Sequence, residues 1–110
     1  MSSDIDGYKI YQEDRKFTRA VEKLPQFVQD VLKEKIRFLA ENPYHNSLNT
    51  KSFNCSSKLR KELARDGVDD VREFYINAKK YRCVFYVLHA KKMIYLATVG
   101  LHDQLNRWSK

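Results

Sequence analysis

The stretch from His102 to Trp108 holds an imidazole, a carboxylate, a guanidinium and an indole: His102, Asp103, Arg107 and Trp108. It follows a run of β-type residues, Met93 to Val99, that ends at Gly100. Side chains just past a strand end sit on a rigid scaffold yet reach solvent, which is where sites are built. An imidazole, with an unperturbed pKa of about 6.5, exchanges protons close to neutral pH. A guanidinium binds two oxygens of one anion at once. An indole stacks on a flat base, a contact worth about 1–3 kcal/mol per base. The group suits an anionic substrate that carries flat bases. Asp103 has a second use, as the N-cap of a short C-terminal helix over Gln104 to Trp108.

Other polar residues fall inside apolar runs or turns. Arg82 stands between Tyr81 and Cys83 in an otherwise apolar run, so it needs a partner or a wet cleft. A phosphate-facing role and a structural ion pair are both open for it. His45 lies in the loop after Pro43, and His89 ends a strand beside Lys91 and Lys92, where an exposed hairpin position is expected. Three histidines without acidic partners at ligand spacing make no metal site, so neither a metal nor another cofactor is expected.

The elements that must carry these residues are legible from periodicity. Tyr8 and Ile10 read as a short first strand. Glu13 or Asp14 caps a helix with an apolar stripe of Phe17, Ala20, Val21 and Leu24. Pro25 fits the first turn of a second helix, whose one face holds Phe27, Val28, Val31, Leu32, Ile36 and Leu39. Asn42-Pro43 stops it, because the residue before proline avoids helical geometry. Residues 43–55 are polar and turn-rich and read as loop. Ser56 to Gly67 is either a short charged helix with Leu59, Leu63 and Ala64 as its apolar residues, or a flexible insertion.

Three β-rich runs follow, starting at Val71, Tyr81 and Lys91, with links at 78–80 and 90–92 short enough to require hairpins. The second and third are apolar at odd and even positions alike, so both faces are expected to be covered. The fold class is α+β: an N-terminal strand and two antiparallel helices packed on a mainly antiparallel C-terminal meander, forming one domain over residues 1–110.

Composition bounds the partners. The chain carries 21 Lys and Arg against 14 Asp and Glu, a net charge of +7, which favours nucleic acid, an acidic protein or an anionic membrane surface. Hydrophobic residues at 43% exclude a disordered tail. Cys55 and Cys83 form no disulfide framework, and Cys83, inside an apolar run, is expected to be a buried reduced thiol. No apolar stretch approaches the roughly 18 residues that span a bilayer. The segment MSSDIDGYKI lacks the features of a secretory signal. A cytoplasmic location without a membrane partner is the expectation.

Four segments in order resemble the RelE/ParE superfamily of toxins from toxin–antitoxin pairs: Lys23 to Pro43, His45 to Phe53, Val71 to Val87, and Ile94 to Trp108. RelE-like members cut messenger RNA on the ribosome; ParE-like members share the fold and inhibit DNA gyrase. The resemblance implies a cognate antitoxin that wraps the chain, with mRNA and the ribosome as targets and gyrase as the alternative. It also implies metal-independent cleavage, since RNA supplies its own 2′-hydroxyl nucleophile. The protein must then deprotonate that oxygen, hold the phosphoryl charge and protonate the departing 5′-oxygen.

On this resemblance His102 falls where RelE-like nucleases carry a catalytic basic residue or histidine, and is expected to act as general acid or base. Arg82 matches a basic position of a strand pattern, YR followed by apolar residues, and is the second catalytic candidate. Trp108 matches a C-terminal aromatic used against substrate, and Arg107 is a phosphate contact. Lys51, Lys79 and Lys80 are candidates for the RNA backbone. Two features depart from the pattern. Where nuclease members carry arginine, giving FRI, this chain has Tyr75 in FYI; a phenol can donate a hydrogen bond to phosphate but brings no charge. Arg72, three residues away, falls on the opposite strand face. The second departure is the insertion at 56–70, a basic arm suited to ribosomal RNA.

Overall fold

A computed structural model describes residues 7–12, 15–77 and 80–101. Its elements are β1 (Lys9–Gln12), α1 (Arg15–Glu22), α2 (Gln26–Glu41), β2 (Lys51–Ser52), α3 (Ser57–Arg65), β3 (Asp70–Asn77), β4 (Tyr81–Leu88) and β5 (Met93–Leu101). The five strands form one sheet in the order β1-β5-β4-β3-β2. β3, β4 and β5 make the antiparallel meander, and β1 adds to β5 in parallel, Lys9 opposite Met93 and Gln12 opposite Leu96. The α+β reading holds.

Strand alternation divides the side chains between two layers. Phe74, Ile76, Cys83, Phe85, Val87, Ile94 and Leu96 point to the face where Phe17, Leu24, Val28, Leu32 and Leu39 from the helical segments complete the main core. On the other face Val71, Val84, Tyr86 and Leu88 meet Phe53 and Leu63, with Leu59 packed beside them. β4 is therefore buried on both faces from Cys83 to Leu88, as its unbroken apolar run implies. Cys83 is a free, fully buried thiol, and burial raises its pKa. Cys55 is free as well.

Helix ends follow local chemistry. Pro25 precedes α2, and its carbonyl accepts from the N–H groups of Val28 and Gln29 at 3.0 and 3.1 Å. Asn42 ends the helix in extended geometry, φ −164°, as the following proline demands. α3 resolves the alternative at 56–67 in favour of a helix. Ser56 Oγ accepts from the Leu59 N–H at 3.2 Å, and Gly67 closes the end with φ +88°, a left-handed position that glycine occupies without penalty. The capping expected of Glu13 or Asp14 lies outside the described residues.

Three expectations need correction. Phe27 is 58% exposed: it sits in the first turn of α2 at the margin of a stripe centred on Val28, Leu32 and Leu39. Ala64 is exposed, since Leu59 and Leu63 already cover the sheet there. The segment 43–55 is not all loop: Lys51 and Ser52 pair with Glu73 and Arg72, and Leu48 and Phe53 are buried. Two residues carry no periodicity, so the edge of β3 decides that pairing. Among the described residues no helix is long and apolar enough to cross a membrane.

Candidate anion-binding site on the sheet

Tyr75 and Arg82 face each other across β3 and β4. Glu73 lies two residues before Tyr75 on the same face, and Lys51 on β2 stands opposite Glu73, diagonal to Tyr75. An irregularity follows at once, with Asn77 rather than Ile76 opposite Tyr81, so the ladder loosens where the polar groups emerge. Side chains from three strands are thus brought together by register.

Their contacts converge on one phenol oxygen. Lys51 Nζ donates to Tyr75 Oη at 2.7 Å, and Arg82 Nη2 donates to the same oxygen at 3.1 Å. The two cations also lie 4.5 and 4.8 Å from the centre of the Tyr75 ring. Beneath them, Arg82 Nη1 is 2.7 Å from Glu73 Oε1 as a charge contact, without the alignment of a hydrogen bond. Glu73 is only 4% exposed, and a carboxylate buried so deeply is tolerable because a guanidinium faces it. Arg82 Nε has no hydrogen-bond partner among the described residues. The Lys51 hydrogen bond, ahead of the charge of Arg82, lowers the Tyr75 pKa from the usual tyrosine value.

Of the two roles left open for Arg82, the structure shows the ion pair, and the side chain also reaches Tyr75. One nitrogen is anchored to Glu73 and another is aimed at the half-exposed Tyr75 hydroxyl. Sequence reading missed Glu73; the available signal was a carboxylate sharing the Val71 and Tyr75 face of β3, diagonal to Arg82. Lys80 is not part of the group: its ammonium stands 5.8 Å from the centre of the Tyr81 ring, and Tyr81 packs on the helix-covered core. Lys79, His102, Asp103, Arg107 and Trp108 lie outside the described residues. β5 does run beside the site, with Gly100 opposite Arg82 and Leu101 opposite Tyr81.

A second polar group occupies the other face and edge. His89 Nδ1 is 3.1 Å from Tyr8 Oη and its Nε2 is 3.0 Å from Tyr44 Oη. Tyr44 Oη donates to Asp70 Oδ2 at 3.3 Å, and Arg72 Nη1 reaches the same oxygen at 3.3 Å. The remaining Arg72 nitrogens donate to Thr50 Oγ1 and to the Thr50 carbonyl. Desolvation, then the Asp70 charge, raises the Tyr44 pKa. Arg72 is on the opposite face from Tyr75, as the odd spacing requires. His89 is exposed, as expected for a hairpin, but tied on both ring nitrogens. His45 belongs to neither group: it accepts from the Ser47 N–H, lies 3.6 Å from Glu41 and packs on Phe38. Among the described residues no cluster of His, Cys, Asp or Glu could hold a metal ion.

No family model matches the sequence, and no curated protein matches it. Solved structures do share its fold. RelE in the archaeal RelE–RelB complex from Pyrococcus horikoshii OT3 superposes with a TM-score of 0.66 at 13% identity, covering 89% of this chain and 98% of that one. A mutant of the E. coli toxin RelE in the free state gives 0.64 at 19% identity, over 94% and 92% of the two chains. YafQ from E. coli strain BL21(DE3) gives 0.62 at 15%, over 89% and 97%. The chain has a RelE-like toxin fold.

Proposed function

We propose that this chain is the toxin of a toxin–antitoxin pair and a metal-independent endoribonuclease that cuts mRNA on the ribosome. The observation that carries the reading is the convergence of Lys51 and Arg82 on the part-exposed Tyr75 hydroxyl of a RelE-like fold. A phosphodiester in that position meets two positive charges and a hydrogen-bond donor. The charge missing from Tyr75 itself is supplied by its neighbours. His102, two residues beyond the glycine that faces Arg82, is assigned proton transfer at the 2′-hydroxyl. Trp108, Arg107 and Lys79 complete the proposed substrate contacts, with Trp108 stacking on a base.

The exposed cations of α3, Lys58, Arg60, Lys61 and Arg65, extend the basic surface toward ribosomal RNA. The proposed partner in the resting state is an acidic antitoxin segment laid over these charges in the cytoplasm. Archaeal RelE is itself seen in complex with RelB.

Induced expression of wild type and His102→Ala, with folding verified and primer extension on a translated transcript, tests the reading. Growth arrest with codon-registered cuts, lost in the variant, is the expected result. Arrest without cuts would move the target to gyrase, and folded protein with neither arrest nor cuts would leave an antitoxin-binding chain without chemistry.

A further inference from the structure

We infer that Tyr75 is the residue that hands a proton to the departing 5′-oxygen, an assignment that rests on the ribonuclease reading above. A phenol oxygen carries one proton and accepts through its lone pairs. Here the acceptor side is taken by two cationic donors, Lys51 Nζ at 2.7 Å and Arg82 Nη2 at 3.1 Å. The hydroxyl proton can point at neither, so it is left for a third group on the open side. As that proton leaves, negative charge grows on an oxygen already held by two positive groups. Stabilisation arranged in advance at the atom where charge develops is the strongest kind a site can offer. Glu73 fixes Arg82 from below and keeps that arrangement from collapsing.

The same contacts lower the phenol's pKa, which brings the acid closer to working pH, where proton transfer is most effective. An arginine in this position would bind phosphate but could not surrender a proton. The replacement of the expected arginine therefore changes the chemistry available rather than removing it.

The step balances as follows. The 2′-oxygen attacks phosphorus while its proton passes to the base, the role proposed for His102. The bond from phosphorus to the 5′-oxygen breaks with its electron pair on that oxygen, which takes the Tyr75 proton. A 2′,3′-cyclic phosphate and a 5′-hydroxyl are formed, the Tyr75 phenolate regains a proton from solvent, and the base releases its own.

The test uses ribosomes programmed with a synthetic mRNA whose scissile 5′-oxygen is either oxygen or sulfur. A thiolate leaves without protonation, so the sulfur linkage does not need the acid. Tyr75→Phe keeps the ring beside both cations and removes only the hydroxyl. Cleavage of the oxygen linkage should fall by about 100-fold or more, while the sulfur linkage stays near the wild-type rate. Equal slowing of both linkages would make Tyr75 a binding residue and overturn the assignment, as would no slowing of either. Wild type that cuts neither linkage overturns the ribonuclease reading itself, and the assignment with it.

Discussion

The two faces of β3 carry nearly the same inventory, an arginine, a carboxylate and a tyrosine, wired in opposite directions. Toward the helices, Tyr44 donates to Asp70 and Arg72 donates to Asp70 and Thr50. The donors seen there end on acceptors of the protein, and the result is a tie between loop, strand and hairpin. On the other face the carboxylate is sunk under Arg82, and the phenol accepts from two cations instead of donating to an anion. The same side chain is therefore pushed to opposite pKa directions, up for Tyr44 and down for Tyr75. What separates the brace from the proposed site is where the hydrogen bonds point, not which residues are present.

Removing each arginine should separate the two groups most sharply. Arg82→Ala leaves Glu73 buried without its counter-charge and should cost about 3–5 kcal/mol, read by urea unfolding. The double replacement of Arg82 by Met and Glu73 by Leu should recover most of that stability while leaving cleavage abolished. A mild Arg82→Ala phenotype would mean that Glu73 is not held by this contact. Arg72→Ala should cost less, about 1–3 kcal/mol for hydrogen bonds to partly exposed groups, with RNA cleavage intact. Loss of cleavage in a folded Arg72→Ala protein would erase the distinction between the faces.

The smallest effect is spectroscopic. In an alkaline titration followed by phenolate absorbance, Tyr75→Phe should delete an early-titrating tyrosine and Tyr44→Phe a late one. The signs for stability are opposite. Tyr75 ionises more readily folded than unfolded, so its contribution is present above about pH 10 and lost as pH falls through the folded value. The Tyr44 contribution is complete below about pH 10 and lost as pH rises through its folded value. Stability curves of the two variants that move together would show the phenols to be in equivalent environments.

Much of this architecture was legible because it is periodic. The stripe of Val28, Leu32 and Leu39, the stop at Asn42-Pro43 and the unbroken apolar run of β4 each announce their element. The polar groups are different in kind. Tyr8, Tyr44, Asp70 and His89 meet across as many as 81 residues of chain, and nothing in their local sequence refers to one another. Glu73 and Lys51 become neighbours of Arg82 and Tyr75 only once the register of three strands is fixed. Tyr75 alone reads as a lost charge, because a sequence gives the residue at a position but not the cations that arrive beside it.

The parallel pairing of β1 with β5 also sets an order of events. Lys9 finds its partner only at Met93, so the first strand made is the last that can be zipped into the sheet. Local hairpins close early, whereas contacts of such long span pay their loop entropy first and form late. A chain still emerging from the ribosome carries β1 as an unpaired edge, and β4 lacks the neighbour that runs beside Arg82. Completion of the sheet thus waits on β5, the last of its strands in sequence, a delay written into the strand order.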